Sequence, residues 1–173
     1  TKKIKMKIES INIKLPRKEK SIEKFFENCE IRNKFVKDIE GNEKKRLIKA
    51  KHDFSRAQAE FRDGAWDWSV IMSYYAIHHA GNALLSKNIK VFSKDHNCLL
   101  ISLKKNDLIS KKLFDKLSSL YDKFSDILSL DLTFQLRKIG QYNVEEWEGI
   151  KAEDAKLILE VAKEFIIYVE SKI

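Results

Sequence analysis

The stretch WDWSVIMSYYAIHHAGNALL, from Trp66 to Leu85, carries apolar side chains around most of a helical circumference. Trp68, Ile71, Met72, Tyr75, His79 and Asn82 follow one side at helical spacing, and Val70, Tyr74, Ile77, Gly81 and Leu84 follow another. A helix that is apolar on nearly every side has to be wrapped by several neighbours. Ala76, Ala80, Gly81 and Ala83 are small enough for one of those neighbours to approach closely. A chain built on this segment therefore folds around a central helix.

The rest of the sequence supplies the wrapping. With five glycines and one proline in 173 residues, there are too few breakers for a turn-rich β protein. Residues 21–38 read as a helix with Ser21 at its N-cap, stopped by Gly41-Asn42. Residues 43–63 follow, with Ala50, Phe54, Ala57 and Phe61 on one narrow face and Lys51, Arg56, Glu60 and Arg62 off it. After the central helix, KNIKVFSKDHN reads as a loop leading to a helix over 94–105 with Ser93 as N-cap and Asp95 and His96 in the first turn. Further helices are expected over 107–128 and 152–171, with a short one ending near Gly140. The predicted fold is all-α: an antiparallel bundle of about five long helices. A Lys-rich arm over 1–20 precedes one domain over 21–173.

Charge and cysteines narrow the setting. The net charge of +8 is concentrated at the start, with Lys2, Lys3, Lys5, Lys7, Lys14, Arg17, Lys18 and Lys20. Such a balance favours polyanions, although a solvated Lys-rich surface produces it equally well. The two cysteines, Cys29 and Cys98, are far apart and lack CxxC spacing, which points to inert reduced thiols and a cytoplasmic protein. No apolar run is long enough to cross a bilayer, so no membrane association is expected.

Few residue patterns carry chemistry. His78 and His79 are adjacent and point about 100° apart on a helix, so they cannot chelate one metal; neither a metal site nor a cofactor is expected. There is no Gly-rich phosphate loop, nucleophile elbow, HExxH or paired-carboxylate signature. That leaves RKIGQYN. Arg137, Gln141 and Tyr142 can form a phosphate and base clasp. The competing reading is an arginine bonding helix-end carbonyls, with Tyr142 capping the core.

Four segments in order, AKHDFSRAQAEFRDGAWDWSVIMSYYAIHHAGNALL, SKDHNCLLISL, FQLRKIGQYNV and AKLILEVAKEF, resemble the HEPN domain family (higher eukaryotes and prokaryotes nucleotide-binding) over roughly residues 45–170. The resemblance implies a helical bundle, a homodimer, and partnership with a minimal nucleotidyltransferase in a toxin–antitoxin pair. It also implies binding of a nucleotide or RNA phosphate through Arg137, Gln141, Tyr142, Tyr75 and His79. Active relatives are metal-independent ribonucleases with an Arg, four to six intervening residues and then a His. Here Tyr142 stands where that His would be, and a phenol with an ordinary pKa near ~10 is a poor base. The alternative function is thus a metal-independent endoribonuclease toxin with Arg137, Tyr142 and a histidine at its site, Arg137 supplying the cation for the phosphate and the histidine the base. His96 is preferred for its place beside a loop, ahead of His79 and His78. A purely structural dimeric module is the third reading. Within this picture His78 is expected on the outside, near the dimer seam.

Overall fold

The computed structural model describes residues 14–132 and 148–173. The central helix α3 (Trp66–Ile89) forms as expected. Val70, Tyr74, Ile77, Ala80, Ala83, Leu84 and Leu85 are buried along it. Burying each large apolar side chain among these contributes roughly 1.5–3 kcal/mol. Helix α2 (Asn42–Arg62) reaches α3 through a tight turn at Gly64, whose φ of +76° is one that L side chains rarely adopt. Ala50 and Ala57 are fully buried, with Phe54 and Phe61 packed beside the core, so the predicted narrow face is the one that docks. Helix α6 (Ala152–Glu170) covers α3 and α2, burying Ala155, Ile158, Ala162, Phe165 and Val169. Helix α4 (His96–Lys105) also packs on α3. A Cβ at Gly81 would lie 3.1 Å from Leu99 Cδ2 and 3.3 Å from Leu103 Cδ1, so this glycine permits the α3–α4 approach. Helix α5 (Lys111–Leu132) adds Phe114, Leu117, Tyr121 and Phe124 to the same core. The mostly helical bundle matches the expected class.

Four details depart from expectation. First, α1 spans Glu19–Ile31 instead of 21–38, and Ser21 is not its cap. Residues Phe35–Lys37 form a strand, β1, antiparallel to β2 (Val91–Ser93), with Val36 opposite Phe92. The segment expected to be a loop is therefore half of a two-stranded ribbon. Aromatic and β-branched residues favour extended backbone there, but the partner lies more than fifty residues away and no local pattern announces it.

Second, α4 is capped by Asp95, whose Oδ1 accepts the Cys98 N–H at 3.0 Å; Ser93 lies in β2. Third, the cysteines are not free thiols. Cys29 in α1 and Cys98 in α4 are disulfide-bonded and fully buried, with Cα atoms 5.8 Å apart. The bridge ties α1 to α4, and cysteine usage accordingly gives no support to a reducing compartment. Fourth, Leu15 is buried in the core, and Arg17 bonds Asp115 at 3.3 Å and lies 3.6 Å from Asp122. The residues just before α1 are thus packed onto the domain.

The small residues of α3 serve contacts within the chain. Ala76, Ala80 and Ala83 have no exposure. Among the described residues no helix is long and apolar enough to cross a membrane.

Candidate functional site

Two polar clusters meet α3 on different sides, and the adjacent residues His78 and His79 separate them. Met72, Tyr75 and His79 recur at spacings of three and four and share a face. On α2, Lys49, Asp53, Arg56 and Glu60 recur at four, three and four and form a second stripe. The two stripes, with His52, line an open groove of about 580 Å³.

Asp53 is the focus of this groove. Its side chain is 4% exposed. Lys49 Nζ donates to Oδ1, and His52 Nδ1 lies 3.3 Å from the same oxygen. Oδ2 has no hydrogen-bond partner among the described residues. The His79 Nε2 lies 3.7 Å from Oδ2. Burial pushes the His79 pKa down, Asp53 pushes it back up, and Lys49 and Arg46 lower it further; the net shift is downward, so the ring is neutral at neutral pH. Farther along the groove Arg56 Nη2 bonds Glu60 Oε1 at 3.0 Å. Lys49 and Arg56 are thus balanced by Asp53 and Glu60. Tyr75 and the His52 ring remain partly or fully open to solvent.

The cluster around His78 is closed. Asn82 Oδ1 accepts the Ser93 N–H at 2.8 Å, and its Nδ2 donates to the Ser93 carbonyl at 2.8 Å. This fixes the amide orientation and aims the other Nδ2 hydrogen at His78 Nε2, 3.1 Å away. His78 Nε2 is then an acceptor and carries its proton on Nδ1. That proton faces His96 Nδ1 at 3.1 Å, which accepts it. Both rings are neutral. Burial holds His78 well below its ordinary value, and the charges of His96, His79 and Arg46 add to this. Burial also lowers His96 to about 4, partly opposed by Asp95. The His96 ring packs against Tyr74 at a tilt of 56°, with centroids 4.6 Å apart.

The expected site residues therefore divide. Tyr75 and His79 come together in the groove. His96 is partly buried with its Nδ1 engaged, so its first-turn position does not make it the accessible histidine. His78 is buried, which corrects its expected outside position. Arg137, Gln141 and Tyr142 lie outside the described residues. Lys49, His52 and Asp53 were not singled out beforehand. The usable signal was the charged stripe on α2 at the same helical spacing as Tyr75 and His79. Among the described residues no group of three or more His, Cys, Asp or Glu side chains is arranged to hold a metal ion.

The sequence model of the HEPN domain matches residues 44–172. Neither a curated protein nor a solved structure matches the chain. The match begins at the first turn of α2, so α1 and β1 precede the matched region.

Proposed function

The chain belongs to the HEPN domain family, and from that premise we propose that it binds a nucleotide or an RNA phosphate in the α2–α3 groove. The observation that carries this reading is the convergence of Tyr75 and His79 with Lys49, His52 and Arg56 on one open face. The phenol ring offers a stacking surface, and the two cations and His52 offer donors to phosphate. Since Lys49 and Arg56 are already matched by carboxylates, affinity here rests on shaped contacts more than on bulk positive charge. Arg137, Gln141 and Tyr142 are included as phosphate-binding residues on the strength of the family resemblance alone. In the same proposal the protein is a homodimer and the partner of a minimal nucleotidyltransferase in a toxin–antitoxin pair.

The test is fluorescence anisotropy with labelled single-stranded RNA and with nucleoside monophosphates. Arg137→Ala and Tyr75→Ala are each expected to weaken binding by about tenfold or more with the fold intact. Unchanged affinity in both variants rejects the site. Co-purification from the native host with a nucleotidyltransferase supports the pairing, and its absence from the purified complex counts against it.

One observation favours the ribonuclease reading as a second choice, with a changed base. His79 opens on the groove beside Asp53, whereas the Nδ1 of His96 is committed to His78. Neutral His79 then takes the proton of the 2′-hydroxyl as that oxygen bonds to phosphorus and the P–O5′ bond breaks. Arg137 holds the phosphate, and water protonates the departing 5′-oxygen. Cleavage should survive EDTA and fall at least ~100-fold in His79→Ala and in Arg137→Ala. A strict requirement for a divalent metal rejects this mechanism.

A further inference from the structure

The two strands of the ribbon differ at their outer edges. The Asp38 N–H donates to the Lys90 carbonyl at 2.9 Å, and Val36 stands opposite Phe92. In an antiparallel ladder this makes Val36 the β1 residue whose main chain bonds β2. The N–H and C=O groups of Phe35 and Lys37 then point away from β2, as those of Val91 and Ser93 point away from β1. At Ser93 the outer edge of β2 is closed by the Asn82 amide, which takes the N–H and gives to the carbonyl at 2.8 Å each. The edge of β1 is open. Among the described residues no group bonds the main chain of Phe35 or Lys37 on that side, and only β2 packs closely on the strand. An open row of this kind is a template for another strand. Apolar side chains stand exposed around it: Ile31 at 77%, Val36 at 42% and Ile39 at 75%.

The segment that fits this edge is a second copy of itself. Turned about a twofold axis through Val36, each copy's Phe35 exchanges main-chain bonds with the Lys37 of the other. The two Val36 side chains meet on the axis as a closely spaced, non-hydrogen-bonded pair. Each Lys37 faces a Phe35, so no like charges are directly opposed. The flanking charges match as well. Arg32 and Lys34 lead into β1 and Asp38 and Glu40 follow it, so antiparallel copies set the basic end of one against the acidic end of the other. A strand of unrelated sequence offers the main-chain bonds without this match.

We infer that β1 is a homodimer contact, in which the open edges of two copies join their two-stranded ribbons into one antiparallel sheet ordered β2–β1–β1–β2. The strand precedes residues 44–172, the region that matches the family, so the contact belongs to the part of this chain outside it. The inference rests on the homodimer reading above and gives it an interface. So short a strand makes a small contact, and association is expected at micromolar concentrations.

The test is sedimentation of the full chain from about 1 to 200 µM, where wild type is expected to pass from monomer to dimer. Val36→Lys sets two lysines face to face on the axis and, shown folded by circular dichroism, is expected to weaken dimerisation at least about tenfold. Val36→Asp alone is expected to do the same. An equimolar mixture of the two variants is expected to regain the dimer, because position 36 meets only position 36. A monomer throughout overturns the inference and the homodimer reading together. A wild-type dimer that neither variant weakens overturns the inference alone, and so does a mixture that stays monomeric. If the variants do not fold, amide hydrogen exchange of the wild-type chain decides. The Phe35 and Lys37 N–H groups should exchange at least about threefold more slowly at the top of the concentration range than at the bottom. Equal rates overturn the inference: slow at both ends, another segment of the same chain holds the edge; fast at both, nothing does.

Discussion

His78 and His79 are neighbours in sequence, yet their surroundings are opposites. Around His78 the Asn82 amide, the Ser93 backbone, both His78 ring nitrogens and His96 Nδ1 all have partners inside the protein. Around His79 one carboxylate oxygen is left without a donor, and the cations stand at the edge of solvent. Closed networks of this kind fix tertiary structure, because every missing bond is felt as instability. The network beside the open groove is incomplete, with Asp53 Oδ2 buried and unpaired among the described residues. A neutral histidine is found in both, so burial or a lowered pKa does not distinguish them; the unmatched hydrogen bond does.

The difference can be broken from the closed side first. Asp38 is buried at the end of β1, where burial raises its pKa but hydrogen bonds from Arg46, then Asn42, Ser86 and the Ile39 N–H outweigh it and hold it well below the usual carboxylate range. Arg46 Nε bonds Asp38 at 2.7 Å, and the guanidinium lies 4.2 Å from the centroid of the Phe92 ring in β2. Arg46→Ala strands that charge and is expected to cost about 3–5 kcal/mol in urea unfolding. A loss below ~1 kcal/mol would mean the ribbon end is looser than its bonding implies.

Opening the disulfide comes next. The bridge spans a sequence separation of 69 residues. Replacing both cysteines with alanine should remove about 2–4 kcal/mol, chiefly by freeing the unfolded chain. RNA affinity of the folded fraction should not change, because the groove lies between α2 and α3. Asn82→Ala deprives the Ser93 N–H, its carbonyl and His78 Nε2 of partners, for about 2–3 kcal/mol. Matching unfolding midpoints for wild type and this variant would show that water replaces the amide.

Acid probes the same network more gently. His96 titrates near 4 in the folded protein and near its ordinary value of 6.5 when unfolded. Between those values the unfolded chain binds more protons, so stability is complete above about pH 6.5 and is lost as pH falls toward 4. His78, lowered for the same reason, adds to the slope. The decline should be on the order of 1–2 kcal/mol, allowing for partial solvent access to His96. It should flatten in His96→Asn. The smallest stability effect belongs to the open side: Arg56→Ala breaks only an exposed pair with Glu60 and should change stability by less than ~0.5 kcal/mol while lowering RNA affinity. A large stability loss there would turn the groove into a structural element.

Helix identity was legible because the apolar residues of α2, α3 and α6 recur with the helical period, and period is a local property. The near-complete apolar surface of α3 likewise announced a central position, and the ordered segments announced the family. What lay beyond reach was every pairing between distant residues. Cys29 meets Cys98, Phe35 meets Ser93, and Asp53 meets His79 only because α1, the ribbon and α2 close on the same core. The periodicity places His78 and His79 on different faces of one helix. Which of those faces would be sealed by α4 and β2, and which left open beside α2, was decided by packing, since the contacts that seal one and spare the other come from residues remote in the chain.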